Sequence, residues 1–313
     1  MEYIGIIITQ SHNLYTVCPE ADHDTLLQAR VSGKMMHRLQ HPAEYPAVGD
    51  RVSLEWDGKS ENAVISAVLP RHGCLNRVGD MNTQQSQVIA ANLDVLVVCM
   101  SLNQNYNLRR AERYLAAARA ADIAPVIVLT KADLCPECEL RRQEVRQAFP
   151  DAEALLSAPD MPEAVERIRK MLAEGKFVAF AGSSGVGKST LVNAVLGRQV
   201  MDTSAVRAGD GKGRHTTTHR ELIFADGGGA VIDTPGMRAF ALDDADVEDV
   251  FADIAALAQE CRFSDCSHGS EPGCAVRRAV AEGRIPQKQL ESYLRLKREA
   301  ERRQKRREQM RRR

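Results

Sequence analysis

The 313 residues are 44% hydrophobic and 27% charged, the balance of a soluble globular protein long enough for two or three domains. No apolar run approaches the ~20 residues that a membrane-spanning helix needs. The stretch Ile4–Ile8, preceded by Glu2 and lacking a basic flank, reads as a strand rather than a signal peptide. Bases and acids balance at 42 each, yet residues 284–313 hold 13 of the bases and 4 of the acids. A tail of net +9 thus opposes a remainder of −9 and points to a polyanionic partner.

In chain order, the first ~70 residues hold five short runs rich in β-formers: YIGIIIT, LYTVC, LLQARVSG, DRVSLEW and AVISAVLP. Asn13, Gly33, Gly49-Asp50 and Asp57-Gly58 separate them. Five strands in this length suit a small barrel such as an OB-fold, and an SH3-like barrel would give a similar pattern. Residues 71–88 are polar and read as a linker. Strands and helices then alternate: strand 93–100, helix 107–121, strand 124–130, helix 139–148, strand 154–158, helix 162–174, strand 176–182 and a helix from Lys188. Alternation of this kind predicts a parallel sheet covered on both faces. Residues 220–236 read as a hairpin turning at Gly227-Gly228-Gly229. The resulting division is 1–72 barrel, an RNA-binding candidate; 73–240 nucleotide domain; and 241–313 metal-binding domain with a basic C-terminal helix.

Gly182-Ser183-Ser184-Gly185-Val186-Gly187-Lys188-Ser189 is a GxxxxGK[ST] phosphate loop between a strand and a helix. Its backbone N–H groups would wrap phosphates, Lys188 would neutralise the β- and γ-phosphates, and Ser189 would reach Mg²⁺. Thr190, next in the helix, is also expected among the nucleotide-binding residues. The loop alone does not separate ATP from GTP. Thr130-Lys131-Ala132-Asp133 ends a strand and resembles the [N/T]KxD guanine motif, with Thr in place of the commoner Asn. There the carboxylate accepts from guanine N1 and N2, a donor pair that adenine lacks; an unsatisfied buried carboxylate would cost ~1–3 kcal/mol. Ser157-Ala158 resembles the short motif that supports the base.

Asp233-Thr234-Pro235-Gly236 resembles DxxG: Asp233 would face Mg²⁺ and the Gly236 N–H would sense the γ-phosphate. Residues 211–218 (GKGRHTTT) occupy the place of switch I, and one of their threonines is expected to reach Mg²⁺, with Thr217 the candidate. Met237 follows DTPG where many GTPases carry a water-orienting glutamine. His215 is the nearest polar substitute by sequence; an exposed switch residue is its other reading.

Cys261, Cys266, His268 and Cys274 place three thiolates and one imidazole within 14 residues, a closed set suited to structural Zn²⁺ that would stand in for a sparse apolar core. Cys18, Cys74 and Cys99 are scattered and read as buried thiols. Cys135 and Cys138 form an isolated CxxC after the guanine motif and read as incidental.

The motifs run in permuted order: guanine motif, support motif, phosphate loop, switch I, DTPG. With a β-barrel before them and a cysteine cluster after, this order closely resembles the RsgA/YjeQ family of small-subunit-dependent GTPases. The specific parts are GSSGVGKS, GRHTTT, DTPG and the cluster. The resemblance implies a multidomain chain: an N-terminal OB-fold, a circularly permuted α/β P-loop GTPase and a C-terminal α-helical zinc-binding domain. It implies hydrolysis of GTP stimulated by the small ribosomal subunit, as a checkpoint late in that subunit's maturation. A hydrophobic residue replaces the catalytic glutamine in the family, as Met237 does. The histidine before the threonines is its proposed catalytic residue, the place of His215, alongside Lys188. Expected partners are GTP or GDP, Mg²⁺, one Zn²⁺ and the small subunit with its rRNA, for a cytoplasmic monomer without membrane association. Two other classes share the phosphate loop: an RNA-anchored placeholder for which nucleotide is only a conformational ligand, and an ATPase or small-molecule kinase.

Overall fold

Five strands form first: β1 (Glu2–Ser11), β2 (Leu14–Pro19), β3 (Leu27–Val31), β4 (Arg51–Glu55) and β5 (Asn62–Val68). The structure, a computed structural model, describes residues 2–11, 13–77, 87–103, 106–183, 185–201, 221–233, 251–263, 266–269, 271–287, 289–291, 293–295 and 297–298. The chain divides into two units, Met1–Phe240 and Ala241–Arg313.

Strand pairing runs β1-β2-β3-β5-β4 and back to β1, with β3–β5 parallel and the other contacts antiparallel. This closed order is that of an OB-fold, which settles the choice that periodicity leaves open. Every second residue of β3 is buried. Tyr15, Val17, Leu27, Leu54 and Ile65 fill the barrel. Between β3 and β4 lies a four-residue helix α1 (Gly33–Met36), started by Ser32, whose Oγ accepts from the Met35 N–H at 3.2 Å.

The expected linker over 71–88 is instead anchored at both of its described ends. Arg71 forms a bidentate pair with fully buried Asp50 (Nε–Oδ1 2.7 Å, Nη2–Oδ2 2.6 Å) and also donates to the carbonyls of Ala43 and Tyr45. Gly49, at φ +88°, lies so close to the chain that an added Cβ would stand 2.3 Å from the Ala91 carbonyl oxygen. Asn92 Nδ2 donates to the Gly49 carbonyl at 2.9 Å. Arg71, which looks like linker from polarity, is therefore fixed to the barrel, and Gly49 with Ala91 and Asn92 joins the barrel to the following domain. A two-stranded ribbon, β6 (Leu75–Arg77) with β7 (Gln87–Ala90), flanks residues that lie outside those described.

Four strands follow in parallel: β8 (Val95–Ser101), β9 (Ala124–Thr130), β10 (Glu153–Ser157) and β11 (Phe177–Ala181). The hairpin β12 (Glu221–Phe224) and β13 (Ala230–Asp233) adds β13 in parallel to β11. The sheet order β10-β9-β8-β11-β13-β12 continues into β1 through a Thr9–Glu221 pairing. Every residue of β8 is buried, as expected of a strand covered on both faces. Leu96, Val98 and Met100 face one apolar layer with α2 (Leu108–Ala120) and α3 (Cys138–Ala148). Val95, Val97 and Cys99 face the other, with α4 (Glu163–Ala173) and α5 (Lys188–Leu196). The strand and helix boundaries expected from sequence agree with these to within two residues.

In the second unit, α6 (Ala252–Ala258) and α7 (Ala275–Ala281) flank the cysteine cluster. The apolar core is fuller than composition suggests: Phe251, Ile254, Val276, Ile285, Leu290 and Tyr293 are buried, and Phe251 meets Tyr293 edge-on at 5.6 Å. Among the described residues no helix is long and apolar enough to cross a membrane.

Candidate nucleotide site and metal centre

The parallel strands end in register: Ser101 and Ser157 both lie beside Thr130, and Val98 lies beside Ala181. β8 leads to β9 on one side while β11 lies on its other side, so the direction of winding reverses between β8 and β11. In open α/β sheets ligands bind in the crevice at such a reversal, outside the carboxyl ends of the strands. The phosphate loop leaves β11 at this crevice.

Gly182 adopts φ +141°, and a Cβ there would stand 2.4 Å from the Cys99 carbonyl of the neighbouring strand. Only glycine turns the chain out of β11 this tightly. Gly187, also left-handed, precedes the first turn of α5. Lys188 Nζ bridges the loop, donating to the carbonyls of Gly182 at 2.8 Å and Ser183 at 2.7 Å. Ser189 is half-buried and Thr190 exposed.

Three side chains from the β8–α2–β9 half brace this loop. Thr130 Oγ1 donates to the Val186 carbonyl at 2.5 Å, and Lys131 Nζ to the Gly185 carbonyl at 2.8 Å. Arg110 Nη1 donates to Ser183 Oγ. Thr130 is buried, so its hydroxyl supplies the tie between motifs despite the missing amide. Lys131 sits in the left-handed region at φ +58°, which carries its stem back over the loop. Asp133 lies in the 3-10 turn Ala132–Leu134 with its side chain exposed. Ser157 and Ala158 are half-buried beside this turn's strand, and Ala158 bridges to Met161. Asp233 closes β13 opposite Glu221. The structure thus brings Thr130, Lys131, Gly182, Ser183, Gly185, Val186, Gly187 and Lys188 into one connected group. Ser184, His215, Thr217 and Gly236, with Met237, lie outside the described residues.

Arg110 is the contributor that motif reading misses. It sits on the first turn of α2, which Asn107 caps by accepting from the Arg110 N–H at 3.1 Å. Its half-buried guanidinium has no carboxylate partner among the described residues. An arginine in an amphipathic helix gives no sign that it reaches a distant loop.

Of the scattered thiols, Cys18 and Cys99 are buried as expected, and burial pushes them up to about 11 and about 12, whereas Cys74 is only half-buried.

The donor atoms of Cys261, Cys266, His268 and Cys274 all lie within 4.8 Å of one another. Tetrahedral zinc with sulfur at 2.3 Å and nitrogen near 2.0 Å would set S···S at about 3.8 Å and S···N at about 3.6 Å. Cys261 and Cys274 stand 3.8 Å apart, and His268 Nδ1 lies 3.6 and 3.5 Å from their sulfurs. The group therefore fits a tetrahedral metal. Burial holds His268 below its ordinary value, which keeps the imidazole neutral and able to ligate. Cys274 Sγ also accepts from the Arg277 N–H at 3.4 Å as it starts α7. Glu271 pins the loop between Cys266 and His268, accepting from the Ser267 hydroxyl and from the N–H groups of Ser267 and Gly269. Those bonds, the hydroxyl first, hold its carboxyl at about 2.

Residues 68–243 match the family described as RsgA GTPase. The chain belongs to that family. It is 43% identical over 298 residues to "Small ribosomal subunit biogenesis GTPase RsgA 2" of Lactiplantibacillus plantarum, covering 95% of this chain and 83% of the relative. It is 42% identical over 286 residues to "Small ribosomal subunit biogenesis GTPase RsgA" of Opitutus terrae, covering 87% of this chain and 77% of the relative. Among solved structures, YjeQ from Thermotoga maritima superposes with a TM-score of 0.71 at 26% identity, covering 96% of this chain and 99% of that one. YloQ, described as a circularly permuted GTPase, gives 0.69 at 25% identity, covering 97% and 96%.

Proposed function

We propose that this chain hydrolyses GTP on the small ribosomal subunit and acts late in that subunit's maturation. The observation that carries the reading is the pair of bonds from Thr130 and Lys131 to the carbonyls of Val186 and Gly185. They make the guanine motif and the phosphate loop one site. RsgA relatives named for small-subunit biogenesis support the partner.

In this reading Asp133 accepts from guanine N1 and N2, the Lys131 stem covers the base, and Ser157-Ala158 closes its far side. The phosphate-loop N–H groups and Lys188 hold the β- and γ-phosphates and stabilise charge as water attacks in line. Lys188 gives up its two loop carbonyls to do so. Ser189, Thr217 and Asp233 would hold Mg²⁺ when it is bound with GTP, and the ion would supply positive charge against the phosphates. His215 orients the attacking water in place of the glutamine that Met237 replaces, and the Gly236 N–H senses the γ-phosphate. Cys261, Cys266, His268 and Cys274 hold one zinc ion, which would supply a structural clamp. The boundaries 1–72, 73–240 and 241–313 divide RNA contact, hydrolysis and metal-supported docking, in a cytoplasmic monomer. The basic tail adds rRNA contact that weakens with salt.

Co-sedimentation tests the reading. Full-length protein with a non-hydrolysable GTP analogue should pellet with small subunits and be released with GDP. Equal pelleting in both states, or pelleting with large subunits alone, would sink it.

A further inference from the structure

The segment Cys135-Pro136-Glu137-Cys138 follows the guanine motif without a break. The 3-10 turn Ala132–Leu134 closes with the Cys135 N–H donating to the Ala132 carbonyl at 3.1 Å. The next turn closes at once, with the Cys138 N–H donating to the Cys135 carbonyl at 3.1 Å. Glu137, at φ −99° and ψ 26°, takes the third position of a type I turn, and proline suits the second. Such a turn holds its first and fourth Cα atoms within about 7 Å, against the about 4.4–6.8 Å that a disulfide spans.

Direction matters as much as distance. Both cysteines are half-buried free thiols, and both pack against the same apolar layer beneath α2 and α3. Cys138 is also the first residue of the 11-residue α3, so its backbone is fixed by the helix that follows.

We propose that Cys135 and Cys138 are a redox-active dithiol that takes small-molecule disulfides and weakens guanine binding when it closes. One thiolate attacks a disulfide RSSR, forming a mixed disulfide and releasing RS⁻. The second thiolate then displaces the other RS⁻ and leaves the Cys135–Cys138 bond. Two electrons pass from the protein to RSSR, which ends as two thiols. Closing the bond draws Cys135 toward α3 and pulls the turn carrying Asp133 away from the end of β9. The consequence for guanine rests on the nucleotide assignment above; the disulfide chemistry does not.

The test uses the full chain with its metal bound, in glutathione buffers running from fully reduced to fully oxidised. Three readouts are followed: the mass of the peptide holding both cysteines after alkylation, metal release, and the dissociation constant for GDP. The expected result is loss of two hydrogens from that peptide before any metal is released. GDP binding should weaken at least about fivefold in step with it, the low end of ordinary site-to-site coupling, and recover with reductant. Cys135→Ser and Cys138→Ser should each stop at a mixed disulfide with glutathione and bind GDP as the reduced protein does. A pair that stays reduced until the metal cysteines oxidise overturns the proposal, and so does a closed pair with unchanged GDP affinity. A reduced protein that fails to prefer guanine nucleotides contradicts the nucleotide assignment instead, and the mass readout still reports on the dithiol.

Discussion

The Thr130 hydroxyl donates to the Val186 carbonyl at 2.5 Å, across the crevice between the guanine-motif strand and the phosphate loop. Because Thr130 is buried, removing the hydroxyl leaves that carbonyl without its partner in a dry setting, at a cost of ~1–3 kcal/mol. Thr130→Val keeps the shape and should weaken GDP and GTP alike by about tenfold, read by equilibrium binding. Thr130→Asn offers an amide donor and should bind near the wild-type level. Equal losses in both variants would contradict the tie.

Arg110 should act through Ser183. Arg110→Ala and Ser183→Ala are expected to produce similar losses in nucleotide affinity, and the double variant should lose little more than either alone. A coupling energy near zero in the double-mutant cycle would mean the two side chains work independently.

Gly182→Ala forces a Cβ to within 2.4 Å of the Cys99 carbonyl, in a backbone region that side chains rarely enter. Neither β8 nor β11 yields easily, because each is buried among apolar neighbours. The variant should lose nucleotide binding and melt several degrees lower, about 1–3 kcal/mol for the strain. An unchanged melting curve would contradict the packing described.

The Arg71–Asp50 pair should prove costly to break from one side. Asp50→Ala leaves a half-buried guanidinium beside an apolar junction and is expected to cost about 3–5 kcal/mol in denaturant unfolding. Lost stability without lost nucleotide affinity in the surviving folded protein is the expected pattern for a pair that holds the barrel together, and lost affinity without lost stability would contradict it.

Glu271 braces the loop of the candidate metal site without being one of its four donors. Glu271→Gln removes the charge that gathers the Ser267 and Gly269 N–H groups, and metal retention against a chelator should fall about tenfold. Retention equal to wild type would show that the ligand loop holds its shape unaided.

Much of this was legible in the sequence for physical reasons. Strands such as β8 and β9 are unbroken apolar runs, and the glycines at 227–229 mark a hairpin that no other residues would turn so tightly. The candidate metal donors are close in sequence, so spacing alone brings them together, although only the structure shows that Nδ1 is the His268 nitrogen facing the sulfurs. The failures share a cause. Arg71 pairs with buried Asp50 and buried Asn92 donates to the Gly49 carbonyl, and a reading based on polarity assigns such groups to the surface. Arg110 reaches its partner across the fold, so no local pattern announces it. The four residues of α1 are too few for helical periodicity to register. The OB-fold became distinct from an SH3-like barrel only through the parallel β3–β5 pairing, which is a long-range fact.

Guanine-specific hydrolysis at the phosphate loop is coupled, in the proposed function, to binding of the small subunit elsewhere on the chain. GTP turnover by the full-length protein, alone and with purified small subunits, tests it most directly, with ATP and large subunits as controls. Turnover should be slow alone, with a large stimulation confined to GTP with small subunits. That stimulation should vanish in His215→Ala while GDP affinity is kept. Turnover unchanged by small subunits, or equal with ATP, would contradict it.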